Sequence, residues 1–296
     1  MIILKSKRCV STLLAVSAAA LYAISSPISK ILLSEIPATM MAALLYLGAG
    51  IGMSVIGLYR FRTGKSKSEL KLSKKDLPFT VGMVVLDIAA PIFLMLGLTL
   101  TVPANVSLLN NFEIVATSLI AFFIFKETIS KRIWIGISLI TVASMILSFE
   151  DISSFSFSFG SLFVLLSCIC WGFENNCTRN LSSKDPLQVV IVKGFGSGLG
   201  SLLISIILKK TSTNVAYIIF ALLLGFISYG LSIYFYVYAQ RELGAAKTSA
   251  YYAVSPFIGV VISFIIFLEL PDITFIIALL IMILGTYVIS TVGKHK

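Results

Sequence analysis

Four ionisable side chains stand inside stretches that otherwise read as hydrocarbon-facing: Asp87, Glu113, Glu174 and Lys193. A charge in such a stretch costs about 2.5–3.5 kcal/mol on insertion scales, so each is a functional candidate and each needs a partner. Asp87 and Glu113 fall near the middle of two consecutive apolar runs. If the two carboxylates face one another, repulsion and a low dielectric both favour the protonated form, and one of them holds a proton near neutrality. Proton-coupled chemistry needs that. Asn110 and Asn111, one turn before Glu113, add amides beside it. The plainer role for Asp87 is packing, because Pro91 removes the hydrogen-bond partner of its carbonyl and leaves a kink to stabilise.

Glu174 lies in "WGFENNCTRN", directly after the apolar "SLFVLLSCIC", and Lys193 follows in the next apolar run. Both sit roughly 10 Å inside the same face, on helices joined by a tight turn. The expectation is an ion pair, since a paired charge is tolerated in a bundle where a lone one is not. It acts either as a static clamp on the hairpin or as a gate or substrate contact that breaks and reforms. Asn175 is spaced to support Arg179 at i+4, leaving Asn176 as a free amide for a cavity. Tyr251 and Tyr252, one turn before Pro256, are candidates for a hydroxyl-bearing cavity wall, whereas Tyr234, Tyr238 and Trp134 suit interfacial belts.

Other chemistries find little support. His295 is the only histidine and lies in the terminal tail, so histidine-based triads and zinc centres are not expected. No G-x-S-x-G or H-E-x-x-H motif occurs. The glycines of "KGFGSGLGS" (Gly194, Gly196, Gly198, Gly200) lack the Walker spacing of a phosphate loop; small residues four apart instead let helices approach closely, as do Gly48 and Gly52. Cys168, Cys170 and Cys177 cluster in one helix with Cys9 apart, and read as packing residues without disulfides. Neither cofactor nor metal is expected.

The elements that carry these residues are membrane helices. With 58% hydrophobic and 12% charged residues and a mean hydropathy of +1.01 over 296 residues, the chain is an integral membrane protein. Runs of roughly 20 apolar residues span 11–33, 38–59, 78–98, 103–125, 133–149, 159–181, 186–208, 215–240, 245–268 and 273–292. Short connections remain, with no room for a soluble domain. The net charge of +10 reports topology, not nucleic acid: most Lys and Arg lie on one face if both termini are cytoplasmic, while Glu35, Glu150, Asp151, Glu269 and Asp272 lie on the other, with Lys209 and Lys210 as the exception. The basic start and apolar stretch of residues 1–20 resemble a signal peptide, but the spans that follow favour an uncleaved first helix.

The chain repeats itself. Tyr22-Ala23 aligns with Trp171-Gly172, Lys30 with Arg179 and Pro37 with Pro186; later in each half, Asn110 aligns with Tyr252, Ile114 with Pro256 and Glu127 with Glu269. Each half, 1–150 and 151–296, has five spans, so the second enters the bilayer inverted. Inverted repeats are a transporter architecture with the site near the midplane between the halves.

On "FEIVATSLIAFFIFKETISKRIWIGI", "VSPFIGVVISFIIFLELPD" and Trp171-Gly172, the chain resembles the EamA domain of the drug/metabolite transporter superfamily over nearly its whole length. It departs in having Tyr22-Ala23 for tryptophan-glycine, and Leu268 where a glycine often precedes the terminal glutamate. The resemblance implies transport, in the direction of export, of solutes ranging across amino acids, purines, sugars, nucleotide sugars and drugs.

The expected protein is all-α and integral to the cell membrane, with ten transmembrane helices as two inverted five-helix EamA-type repeats and no ATP-driven module. Three intramembrane acids against one lysine favour a proton-coupled exporter of amino acids, amines or drug-like cations. The alternatives are a facilitative uptake permease for sugars or purines, or a two-carboxylate intramembrane enzyme. The expected partners are the solute, coupling protons and membrane lipids, with no nucleic acid.

Overall fold

The computed structural model describes residues 2–62, 70–124, 126, 128–151, 156–181, 183–243, 248, 251–268 and 271–290. Glu127, Glu269 and His295, singled out above, lie outside the described residues. The chain is helical almost throughout: α1 (Ile2–Ala23), α2 (Ser25–Leu32), α3 (Ala38–Arg62), α4 (Leu77–Leu100), α5 (Pro103–Leu109), α6 (Phe112–Phe123), α7 (Lys131–Ser148), α8 (Phe159–Leu181), α9 (Pro186–Ile207), α10 (Val215–Gly225), α11 (Ser232–Leu243), α12 (Ser255–Phe267) and α13 (Ile273–Ser290). A short antiparallel pair, β1 (Phe149–Asp151) with β2 (Ser156–Phe157), links α7 to α8.

Among the described residues, seven helical segments are long and apolar enough to cross a membrane: Cys9–Leu32, Ala38–Arg62, Lys74–Leu100, Pro103–Phe123, Lys131–Ser148, Pro186–Ile207 and Val215–Ala239. Two shorter apolar helices, Ser255–Phe267 and Ile273–Ile289, follow. α8 is as long as these but carries the Glu174–Asn180 stretch. Large apolar side chains such as Val55, Ile207, Leu223 and Leu280 are exposed on the outside of the bundle, as hydrocarbon requires. The protein is a multi-pass membrane protein.

Prolines open several helices. Pro78, Pro103, Pro186 and Pro256 sit in the first turns of α4, α5, α9 and α12, where a missing N–H leaves nothing unpaired. Asp185 caps α9 by accepting from the Leu187 N–H at 3.0 Å.

Three spans expected to be continuous are broken. The first (11–33) turns at Ile24 between α1 and α2, where Pro27 clashes with the Ala23 carbonyl and cannot donate to it. The fourth (103–125) turns at Asn110–Asn111 between α5 and α6. There the Asn111 amide donates to the Leu108 carbonyl at 3.2 Å, competing with the helix for its own backbone. A third turn, at Ala253–Val254, precedes Pro256 in the same way. By contrast α4 runs through Pro91 unbroken, and the eighth span is loosened by a π-helical segment, Phe226–Leu231.

The most extensive helix contacts are α4 with α8, α3 with α9, α7 with α13, and α1 with α11; α6 also packs on α8 and α5 on α12. The core runs through Leu45, Tyr46, Leu94, Leu98, Leu108, Leu109, Ile140 and Tyr229, all fully buried.

Candidate functional site

Two backbone crossings fix the positions of the buried polar groups. At Gly194 of α9 a Cβ would stand 2.4 Å from the Gly50 nitrogen and 2.9 Å from the Tyr46 carbonyl oxygen of α3, so only a hydrogen fits between the helices. This crossing sets the depth of Lys193 and of Tyr46. At Gly172 of α8 a Cβ would stand 2.8–2.9 Å from Ala116 and Thr117 of α6. One turn along, it faces Asn175 and Asn176 toward α6, whose first turn carries Glu113.

Around the first crossing lies a fully buried ion cluster. Lys193 Nζ donates to Glu174 Oε1 at 3.0 Å and lies 3.1 Å from Asp87 Oδ2. Tyr46 donates its hydroxyl to Asp87 Oδ1 at 2.8 Å, and the Thr178 hydroxyl donates to Glu174 Oε1. Asp87 is wholly inaccessible; Glu174 and Lys193 are nearly so. The expected Glu174–Lys193 pair is present, and Asp87 joins it from α4. Asp87 therefore does not serve as the facing partner of Glu113: it belongs to the lysine.

The second crossing builds a different group. Asn175 donates its amide to Glu113 Oε1 at 2.6 Å and lies 3.2 Å from Thr117 Oγ1. Asn175 thus holds Glu113; its expected support of Arg179 gives way because the Gly172 crossing brings α6 within reach. Among the described residues no cation lies within ion-pair distance of Glu113. Its side chain is half-buried. Asn110 and Asn111 sit at the turn between α5 and α6, buried, and their side-chain oxygens find no hydrogen-bond donor among the described residues. Asn176, expected as a free amide, is tied down instead: its Nδ2 donates to the Gly172 carbonyl at 2.8 Å and the Thr117 carbonyl at 3.2 Å.

A row of tyrosines leads away from Tyr46 of the first group. Ring centroids are separated by 5.1 Å between Tyr46 and Tyr229, 5.7 Å between Tyr229 and Tyr22, 5.9 Å between Tyr22 and Tyr252, and 5.0 Å between Tyr252 and Tyr236. Tyr252 thus takes its expected place in the interior, but Tyr251 is 38% exposed and points away; the turn that follows admits only one of two neighbouring side chains. Tyr46, Tyr22 and Thr178 were not among the expected site residues. The signal for Tyr22 was its place opposite Trp171 in the repeat; Tyr46 carried none.

Taken together, one cluster of three charges satisfies itself, while a separate carboxylate stands just past the turn between α5 and α6, whose amide oxygens find no donor among the described residues. A bundle that breaks helices at depth does so where backbone lines a cavity.

Comparison with known proteins adds the following. The model of the EamA-like transporter family matches twice, at residues 10–149 and 158–291. An uncharacterized transporter of Methanothermobacter thermautotrophicus is 26% identical over 295 residues, covering 94% of this chain and 85% of that protein. The uncharacterized transporter YyaM of Bacillus subtilis is 22% identical over 214 residues, 69% of each. A solved crystal structure, 18% identical, superposes with a TM-score of 0.66 over 94% of both chains, a likeness of fold.

Proposed function

Because this chain belongs to the EamA-like transporter family, in the drug/metabolite transporter superfamily, and is a membrane transporter, we propose that it is a proton-coupled exporter of small cationic or zwitterionic metabolites, such as amino acids, amines or drug-like cations. Glu113 is the coupling and binding carboxylate. The observation that carries this reading is the contrast between the acids: Asp87 and Glu174 share Lys193, whereas Glu113 has, among the described residues, only a neutral amide on one oxygen. A carboxylate without a cation is free to exchange a proton for a charged solute.

In this proposal ten helices cross the cell membrane as two inverted halves, 1–150 and 151–296, with both termini cytoplasmic. Three features support it. The family model matches once in each half. An inverted pairing relates the α4–α8 contact to the α1–α11 contact and the α6–α8 contact to the α1–α12 contact. The helix turns at Asn110–Asn111 and Ala253–Val254 fall within one residue of aligned positions of the repeat. Orientation rests on the lysine and arginine asymmetry. Lys184 pairs with Asp76 at 2.9 Å and Arg60 lies 3.5 Å from Asp185, which gathers basic segments of both halves at one end.

The test is solute flux in proteoliposomes with and without an imposed pH gradient. Proton-coupled export requires flux that follows the gradient and loses that response in Glu113→Gln; flux indifferent to the gradient in the wild-type protein would return the chain to the facilitative class.

A further inference from the structure

Each charge of the buried cluster has a partner, but the charges do not cancel. Two carboxylates, Asp87 and Glu174, lie 3.1 and 3.0 Å from one ammonium, Lys193 Nζ, and one lysine neutralises only one of them. Asp87, Glu174 and Lys193 are 0%, 2% and 6% exposed, so water does not screen the charge left over, and an uncompensated charge in such a place is costly. Asp87 Oδ2 meets the lysine only as an ion and finds no hydrogen bond among the described residues.

The surrounding helices supply no second cation among the described residues. Toward Asp87, α3 presents Tyr46, whose hydroxyl donates at 2.8 Å. From α8 come Glu174 and Cys177, the latter beside Gly82 of α4, and from α9 comes Lys193. α5 has no titratable side chain. Lys30 of α2 binds the Leu98 and Thr101 carbonyls at the far end of α4, at 2.6 and 3.0 Å, while Lys74 and Lys75 are exposed ahead of its first turn. On α8, Glu113 of α6 meets Asn175; α7 touches α8 near Leu147, at the end away from Lys131 and Arg132. On α9, α11 brings Tyr234 against Leu187 and Val190. Packing does not demand ions here either. The aligned residues of the first half, Ser25 for Glu174 and Leu44 for Lys193, are equally buried and uncharged.

A guest that balances this count must be a cation, and it must need almost no room. A metal ion requires a shell of oxygen ligands and an organic ammonium requires a cavity; a proton requires neither. Two carboxylates confined to one site share a proton in this way. We propose that the Asp87–Glu174–Lys193 cluster binds one proton at neutral pH and is a second proton site beside Glu113. Consecutive residues of α8 hold the two sites: Asn175 donates to Glu113 at 2.6 Å, and Glu174 accepts from Lys193 at 3.0 Å. A movement of α8 therefore acts on both. The proposal goes beyond the transport reading and stands on charge balance.

The test is infrared spectroscopy of the full-length protein, purified in detergent in H2O or D2O at neutral pH and read at the carbonyl stretch of protonated carboxyl groups. Apart from Asp87, Glu113 and Glu174, the acids fall outside the apolar runs and are ionised at this pH. Glu113→Gln removes the other intramembrane acid, and this variant is expected to keep a band that shifts in D2O. Adding Asp87→Asn or Glu174→Gln leaves one carboxylate on the lysine, a neutral pair, and is expected to abolish the band. No band in Glu113→Gln overturns the proposal without any change to the cluster. A band that survives in either double variant also overturns it, because charge balance then does not hold the proton. Where a double variant does not fold, ¹³C labelling of aspartate and glutamate carboxyls in the folded Glu113→Gln protein must shift the band, and a band that stays in place overturns the proposal. The transport reading fails separately: flux indifferent to a pH gradient removes the exporter and leaves the proton site.

Discussion

Asp87 meets Lys193 across 3.1 Å, joining the third span to the seventh. With Glu174 at 3.0 Å on the same ammonium, the interaction is a three-body cluster, and this changes what mutagenesis should find. Lys193→Met leaves two buried carboxylates facing one another and should cost about 3–5 kcal/mol. Glu174→Gln leaves Lys193 its second partner and should cost less. Adding Glu174→Gln to Lys193→Met should recover only part of the loss, because Asp87 remains; adding Asp87→Asn as well should recover most of it. Equilibrium unfolding of the single, double and triple variants checks this, and full recovery in the double variant would mean that Asp87 is not coupled to the lysine.

The Gly50–Gly194 crossing makes a second prediction. A Cβ at Gly194 would sit 2.4 Å from backbone, so Gly194→Ala must separate α3 from α9 and should destabilise by about 1–3 kcal/mol. It should also move Lys193 away from its acids and reduce flux. Gly57, on the same helix as Gly50, meets nothing closer than 3.5 Å. Gly57→Ala should be neutral or stabilising by about 0.5–1 kcal/mol through helix propensity. Thermal unfolding of both variants separates close approach from propensity.

The Glu174–Lys193 pair was legible because a short turn fixes the relative depth of two consecutive helices. Its third member was not: sequence spacing says nothing about which distant helix lies beside α9, and that neighbour is set by where glycines let backbones touch. The same cause redirected Asn175 from Arg179 on its own helix to Glu113 on α6. Helix ends were readable from apolar run length and proline, but the turn at Ile24 was passed over although Pro27 marks it. The choice between Tyr251 and Tyr252 depends on the turn at Ala253–Val254, and adjacent residues give no pattern from which to choose. The departure at Leu268 was visible in the sequence, and its consequence only in the fold.

Leu268 closes α12 in the left-handed conformation, at φ 52°, which costs a residue with a Cβ roughly 1 kcal/mol. Its side chain is 83% exposed, so little packing is lost by removing it. Leu268→Gly should raise stability by about 0.5–1 kcal/mol, less the added freedom of the unfolded chain. A lowered unfolding temperature would show that the leucine gains more from its surroundings than the backbone loses.

Orientation can be tested directly. In a background with the four native cysteines replaced by serine, Lys71→Cys should react with an impermeant maleimide only from the cytoplasmic side. Glu35→Cys, exposed at the far end of the first span, should react only from outside. Labelling of both from one side would defeat the proposed arrangement of the first three helices.

The contact between Asn175 and Glu113 separates positioning from proton exchange. Asn175 donates to one carboxylate oxygen and is itself unable to hold a proton at ordinary pH. Asn175→Leu removes a hydrogen bond to an ionisable group, an interaction of about 1.5–3 kcal/mol, so flux should fall about tenfold or more while its response to pH persists. Glu113→Gln removes the exchangeable proton and keeps the shape, so driven flux should collapse and its pH dependence flatten. The variant should still insert, since an amide is cheaper in the membrane than a carboxylate. Flux against pH in proteoliposomes for both variants decides the matter. If Asn175→Leu loses its pH response while Glu113→Gln keeps it, the carboxylate is packing and the coupling group lies elsewhere, with the Lys193 cluster the next place to look.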